Sequence, residues 1–205
     1  MKAYPAIPNS KGQAFTEFDA YVFDKLDGQN FRSEWSKKRG WYKFGSRTQM
    51  VDSNDLMFGA AVRQFQETLA EDLTKIALKE RASQMVVFAE WHGPGSFAGQ
   101  HVPGETMRLS VIEATVDQRG WVGPQRFLEM FEGKVDTASY LGRHKWTRGF
   151  VQEVRNGQIP CTFEGVVGKS LQGPRLIMAK AKTEEWYKKL YEIYDLETAK
   201  KLAES

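Results

Sequence analysis

One cysteine in 205 residues, Cys161, leaves no partner within the chain for a disulfide and too few thiolates for a cysteine-based zinc site. The three histidines, His92, His101 and His144, do not fall at the H-x-x-x-H spacing that lets two imidazoles on one helix face grip a metal. No apolar run approaches the roughly 18 residues of a spanning helix, so no membrane is expected as a partner. The first residues, Met1-Lys2-Ala3-Tyr4-Pro5, lack the apolar centre of a secretory signal, so the expected location is cytoplasmic. There is no internal repeat, low-complexity stretch or Pro/Ser-rich linker, and residues 1–205 read as one domain. Neither sign of charge dominates, with 29 basic against 26 acidic residues. What is present is ordinary for a globular chain: 41 % hydrophobic and 27 % charged, at a length able to bury a sizeable core.

The charge is unevenly placed. Residues 32–47 carry Arg32, Lys37, Lys38, Arg39, Lys43 and Arg47 against Glu34 alone, and residues 169–182 carry Lys169, Arg175, Lys180 and Lys182 with no acid. Two basic segments on a mildly acidic body suit a phosphate-bearing partner, or solvated loop faces. Hydrophobic period predicts strands over 20–25, 41–44, 85–91, 107–116, 162–167 and 175–180. A helix is predicted within 54–82 from Val62, Phe65, Leu69, Leu73 and Ile76, capped by Ser53 or Asn54, and another over 124–132, with Pro124 in its first turn. Thr183 opens a last helix over 183–205, with Tyr187, Leu190, Tyr191 and Tyr194 on one face. Strands interspersed with helices indicate a mixed α/β or α+β domain on antiparallel sheets.

Five clusters carry chemistry. Lys25-Leu26-Asp27-Gly28 follows a strand, so the lysine can be held rigidly in a cleft; its amine becomes a nucleophile only when burial, neighbouring cations or a metal remove its proton. Ser46-Arg47-Thr48 puts an arginine fork, suited to phosphate, on a turn. Glu90 ends the apolar 85–89 run, and Glu164 stands beside Gly165 in another β run. Lys180 and Lys182 share a strand face at spacing two. Each cluster has a bland reading on its own: a turn arginine, paired carboxylates, solvated lysines. Gly93-Pro94-Gly95 is no dinucleotide fingerprint, because no helix follows it. Arg143-His144-Lys145-Trp146 reads either as a base-stacking element or as a solvated loop with a tucked tryptophan.

Taken in order, Lys25-x-Asp27-Gly28, Ser46-Arg47-Thr48, Phe88-Ala89-Glu90, Glu164-Gly165-Val166-Val167 and Lys180-x-Lys182 resemble the signature of the covalent nucleotidyltransferases: polynucleotide ligases and capping guanylyltransferases. The chain is most similar to the phage-type, nick-sealing ATP-dependent RNA ligases. Asn30 occupies that class's asparagine position, and residues 110–128 resemble the segment after its third motif. The resemblance covers residues 15–185. It implies an α+β domain of ATP-grasp-like ligase type, with two antiparallel β-sheets flanked by helices around a nucleotide cleft.

The resemblance also implies a reaction and roles. Lys25 takes AMP from ATP, AMP passes to an RNA 5′-phosphate, and a 3′-OH expels it. Lys180 and Lys182 stabilise the α-phosphate and depress the Lys25 pKa, and Lys169 contacts phosphate. Arg47 meets a phosphate or the 5′ end, Glu90 holds the ribose, and Gly28 lets backbone approach the nucleotide. Ile112, followed by Glu113, takes the place of an aromatic that stacks on adenine. Glu164, with Asp27 assisting, serves Mg²⁺ or Mn²⁺, and Asn30, Arg32 and Arg47 bind RNA. About 23 residues follow Lys182, so a partner protein is a candidate for the end-presenting surface that ligases of this class add there. With 24 residues before Lys25, NAD use is not expected. The alternatives are a minimal DNA ligase, a GTP-dependent guanylyltransferase, or a non-catalytic RNA-binding module.

Overall fold

A computed structural model describes residues 1–10, 15–94, 103–117 and 120–204. His101, Gly95 and the Gln118-Arg119 pair of the 110–128 stretch lie outside the described residues.

The strands form two antiparallel sheets. The smaller has the order β10-β9-β1-β8, from β1 (Phe18–Asp24), β8 (Tyr140–Trp146), β9 (Gly165–Gln172) and β10 (Arg175–Lys182). The larger has the order β4-β3-β2-β5-β6-β7, from β2 (Gly28–Ser36), β3 (Gly40–Ser46), β4 (Met50–Val51), β5 (Gln84–His92), β6 (Arg108–Val116) and β7 (Gly120–Trp121). The α+β class with two antiparallel sheets is what the sequence led us to expect.

Burial explains why β5 is apolar throughout. Met85, Val87 and Ala89 enter the main core with Phe31, Phe44, Phe65 and Leu73, while Val86 and Phe88, on the opposite face, pack with Tyr4 and Met178. The same alternation puts Glu90 on the second face. In the small sheet, Ala20, Val22, Val166 and Ala181 pack beneath α4 (Arg148–Arg155) through Phe150, Val151 and Val154.

The central helical segment differs from the single regular helix expected. It runs as α1 (Gly59–Gln64), a π-helical turn over Phe65–Leu69 and α2 (Ala70–Lys79). The expected apolar stripe is buried, but neither Ser53 nor Asn54 caps α1: Phe58 holds the N-cap position without a side-chain bond, and Asp55 Oδ1 shapes the preceding turn by accepting from Met57 N–H and Phe58 N–H at 3.0 and 2.8 Å. Helix α3 (Pro124–Phe131) begins with Pro124 as expected. The last helix is two, α5 (Glu184–Ile193) and α6 (Leu196–Glu204). Tyr194 is extended, and Asp195 Oδ1 takes the Glu197 and Thr198 N–H groups at 3.0 Å each, starting a new helix. Trp186, Tyr187 and Leu190 are buried, whereas Tyr191 is exposed and outside the packed stripe. Trp146 is buried in the small-sheet core, and it lies on β8, not in a loop.

Candidate active site

The chain leaves β1 at Asp24 and enters β2 at Gly28, so Lys25-Leu26-Asp27 crosses from one sheet to the other. Lys25 N–H donates to the Gly165 carbonyl at 2.9 Å, which fixes the crossing to the start of β9. A cavity of about 880 Å³ lies beside this crossing, a volume ordinary for a nucleotide-sized ligand. Lys25, Asp27, Gly28 and Asn30 line it from the crossing and β2, and Arg47 from the turn after β3. Glu90, Ile112, Glu164, Lys169, Lys180 and Lys182 also line it. Residues up to 157 positions apart in sequence, Lys25 and Lys182, thus meet in one place.

Arg32 is the exception. It is only 6 % exposed, and its Nη1 donates to the Lys2 carbonyl at 3.0 Å, away from the cavity. On β2, Arg32 shares the face of Asn30 and pairs with Phe88 as Asn30 pairs with Glu90, but it lies two residues further along, beneath the N-terminal segment, so it is not brought into the cavity with the other expected RNA-binding residues. The first basic segment is therefore not one patch: Lys37, Lys38 and Arg39 sit at the far β2–β3 turn, while Arg47 stands at the cavity. In the second segment, Lys169, Lys180 and Lys182 enter the cavity and Arg175 lies on the β9–β10 turn.

Glu164 is the electrostatic centre. One carboxylate oxygen is 2.7 Å from Lys25 Nζ and the other 3.1 Å from Lys182 Nζ. The residue immediately precedes β9 instead of lying within a β run as expected. Gly165 has φ +144, and a Cβ there would stand 2.0 Å from the Ala181 carbonyl oxygen, so only glycine lets β9 start this close to β10. Lys182 lies over the Trp186 ring, 3.6 Å from its centroid.

The protonation pattern differs from expectation. Burial lowers the Lys25 pKa, but the Glu164 and Glu90 carboxylates outweigh it and hold the ammonium above the usual lysine range. Lys180 is the depressed cation, pushed down to about 8 by burial and by the positive charges of Lys25 and Lys182. Burial also lowers Lys182, and pushes the Glu90 carboxyl up to about 8 against the opposing charge of Lys25.

Ile112 reaches the cavity through a β-bulge. Phe88 pairs with Glu113 and Ala89 with Val111, which leaves Ile112 as the extra residue. Its carbonyl, out of the regular ladder, accepts from Lys169 Nζ. Lys169 Nζ also stands 3.3 Å from Glu113 Oε2, both side chains being almost fully buried. Lys169 is thus a partner of Glu113 as well as a cavity residue. Both polar atoms of the Asn30 amide are enclosed and have no hydrogen-bond partner among the described residues, as expected of a group kept for a ligand.

Some residues were not legible in the sequence. Asp24 accepts from Thr162 N–H at 3.0 Å and Thr162 Oγ1 at 2.7 Å, anchoring the segment that delivers Glu164. Thr183 caps α5 by accepting from Trp186 N–H at 3.1 Å, which sets Trp186 against Lys182. Thr183 was legible as the start of the helix, but not its effect on Trp186 and Lys182; nothing marked Asp24. His92 bonds Ser110 Oγ at 2.8 Å and does not line the cavity.

A protein-family model described as RNA ligase matches residues 19–190. No curated protein matches the sequence. An archaeal ATP-dependent RNA ligase aligns with a TM-score of 0.65 at 14 % identity, over 91 % of this chain and 50 % of that one. A Naegleria gruberi RNA ligase with PPi gives a TM-score of 0.60 at 13 % identity, over 86 % of this chain and 52 % of that one. A mutant of the Naegleria gruberi ligase with ATP and Mn gives 0.60 at 14 %, over 84 % and 51 %. At these identities the likeness is one of fold, and the chain spans about half the length of these ligases.

Proposed function

The chain belongs to the RNA ligase family, and from that premise we propose that it joins RNA 5′-phosphate and 3′-OH ends at the expense of ATP, through AMP carried on Lys25. The observation that carries this reading is the placement of Lys25 at the sheet crossing, 2.7 Å from Glu164 and in one cavity with Lys180 and Lys182. A binding module has no need of a rigidly held amine among phosphate-binding cations; a nucleotidyl transfer does.

In the proposed reaction Lys25 Nζ bonds the α-phosphorus of ATP as the bond to pyrophosphate breaks. The ammonium held by Glu164 is the resting form, so Lys25 passes its proton to that carboxylate, 2.7 Å away, before attack. Lys180 and Lys182 place positive charge where negative charge grows on the phosphate oxygens. Glu90 and the enclosed Asn30 amide offer hydrogen bonds to sugar hydroxyls or the incoming 5′-phosphate, and Arg47 a fork for phosphate. Ile112 and Val167 supply apolar wall for the base.

The donor set fits Mg²⁺ or Mn²⁺. Asp27, Glu90 and Glu164 offer hard carboxylate oxygens in the cavity, and no closed cluster of three or more ligating side chains occurs among the described residues. That suits a cation held by one or two carboxylates and completed by substrate phosphates and water. Asp27 and Glu164 would hold it, and when bound it would supply positive charge to the α-phosphate.

Incubation with ATP and Mg²⁺ or Mn²⁺, followed by intact-mass measurement, tests the reading. The expected result is one AMP added, absent in Lys25→Ala. An adduct from GTP alone redirects the reading to a capping-type transferase, and no adduct from either nucleotide overturns the transferase reading. Sealing assays on nicked duplex RNA, single strands and DNA then decide the substrate.

A further inference from the structure

Residues 8–10 run along the outer edge of β10 and precede the stretch matched by the family model. An edge strand leaves backbone groups that need partners. At Lys180 this segment supplies them. Lys180 N–H donates to the Pro8 carbonyl at 3.2 Å, and the Lys180 carbonyl accepts from Ser10 N–H at 3.2 Å and from the Ser10 hydroxyl at 2.9 Å.

Ser10 is itself fixed. Its Oγ accepts from Trp146 Nε1 at 3.2 Å, and Trp146 is 1 % exposed in the small-sheet core. Asn9 Nδ2, between the two bonding residues, donates to the Ala203 carbonyl at 3.2 Å and so ties the segment to α6. Upstream, the Tyr4 hydroxyl donates to Met178 Sδ at 3.5 Å, and its ring packs 5.3 Å from Phe88 of the large sheet. The segment is therefore held to both sheets, and its hydrogen bonds to the β10 backbone fall at a residue whose side chain enters the cavity.

We propose that residues 8–10 are a clasp that positions Lys180 for the reaction, with Ser10 as the positioning residue. The inference rests on the function proposed above. A cation that stabilises a transition state acts through its placement, and a displacement of about 1 Å costs up to ~10²-fold in rate. Loosening the clasp should thus slow nucleotidyl transfer more than it weakens nucleotide binding.

A two-residue cycle tests this: wild type, Ser10→Ala, Lys180→Ala and the double variant, with Ser10→Thr as the variant that keeps the hydroxyl. Two quantities are read at saturating ATP and Mg²⁺: the rate of AMP adduct formation and its end-point amplitude, the amplitude counting folded, competent molecules. ATP affinity is read separately by calorimetry. We expect Ser10→Ala to slow the rate about tenfold at near-full amplitude, Ser10→Thr to restore it, and Ser10→Ala to add nothing in the Lys180→Ala background. Independent, multiplying effects overturn the proposal, as does a Ser10→Ala that lowers amplitude alone. If wild type forms no adduct but binds ATP, the proposed function fails and the positioning role falls with it, whereas a wild-type adduct with multiplying effects overturns the clasp alone. If wild type neither forms the adduct nor binds ATP, both fall.

Discussion

Lys169→Met is the most informative single substitution, because it separates a buried ion pair from the cavity it borders. Lys169 is 3 % exposed and Glu113 0 %, with Nζ 3.3 Å from Oε2. The lysine lies within 5.0 and 5.4 Å of the Phe23 and Phe127 ring centroids, so methionine keeps the packing of the stem and loses the charge. Glu113 then retains one described bond, from Ala114 N–H to Oε1 at 3.0 Å. Stranding a buried charge in this way costs about 3–5 kcal/mol. Urea unfolding at pH 8 measures the loss. In Lys169→Met/Glu113→Leu the stranded charge is gone, and stability should return to within about 2 kcal/mol of wild type. A loss below about 1 kcal/mol at pH 8, or a double variant no better than Lys169→Met, would refute the reasoning.

His92 is held neutral, its pKa pushed down to about 4 by burial and by the charge of Arg108. The unfolded chain binds the proton more readily between about pH 6.5 and 4, so stability present above that window is lost on acidification through it, by up to about 3 kcal/mol; His92→Gln should flatten that slope in chemical unfolding scans. Gly165→Ala puts a Cβ 2.0 Å from the Ala181 carbonyl oxygen at φ +144, and should cost more than about 3 kcal/mol; a soluble variant with unchanged midpoint would contradict the tight β9–β10 junction. Thr162→Val removes the 2.7 Å bond to Asp24 and should cost about 1.5–3 kcal/mol while slowing AMP adduct formation, because Glu164 lies two residues on; an unchanged adduct rate would show that this anchor does not position Glu164.

Much of the fold was legible because its elements follow local rules. The alternation in 107–116, Pro124 at a first helical turn and Thr183 before two glutamates each specify a local conformation. The misreadings came where long-range packing overrode local pattern. The π-turn at Phe65–Leu69 leaves the apolar stripe intact, so periodicity could not reveal it. Arg32 looks like its basic neighbours in sequence, and only the packed N-terminal segment, through the Lys2 carbonyl, takes its guanidinium away from the cavity. The expected depression of the Lys25 pKa counted the nearby lysines, whereas the folded chain brings Glu164 and Glu90 closer to its charge than the sequence could disclose.

The sequence by itself determined the chemical parts: a lysine after a strand, separated carboxylates, a lysine pair on one strand face, and too little cysteine or histidine for another chemistry. Those follow from residue identity and the period of a strand. Tertiary structure alone decided which parts share a site and in what charge state. The two sheets had to close before Glu164 could bridge Lys25 and Lys182, before a bulge could turn Ile112 to the cavity, and before residues 8–10 could reach the edge of β10 at Lys180. Distance and burial set those interactions, and both are properties of the packed chain.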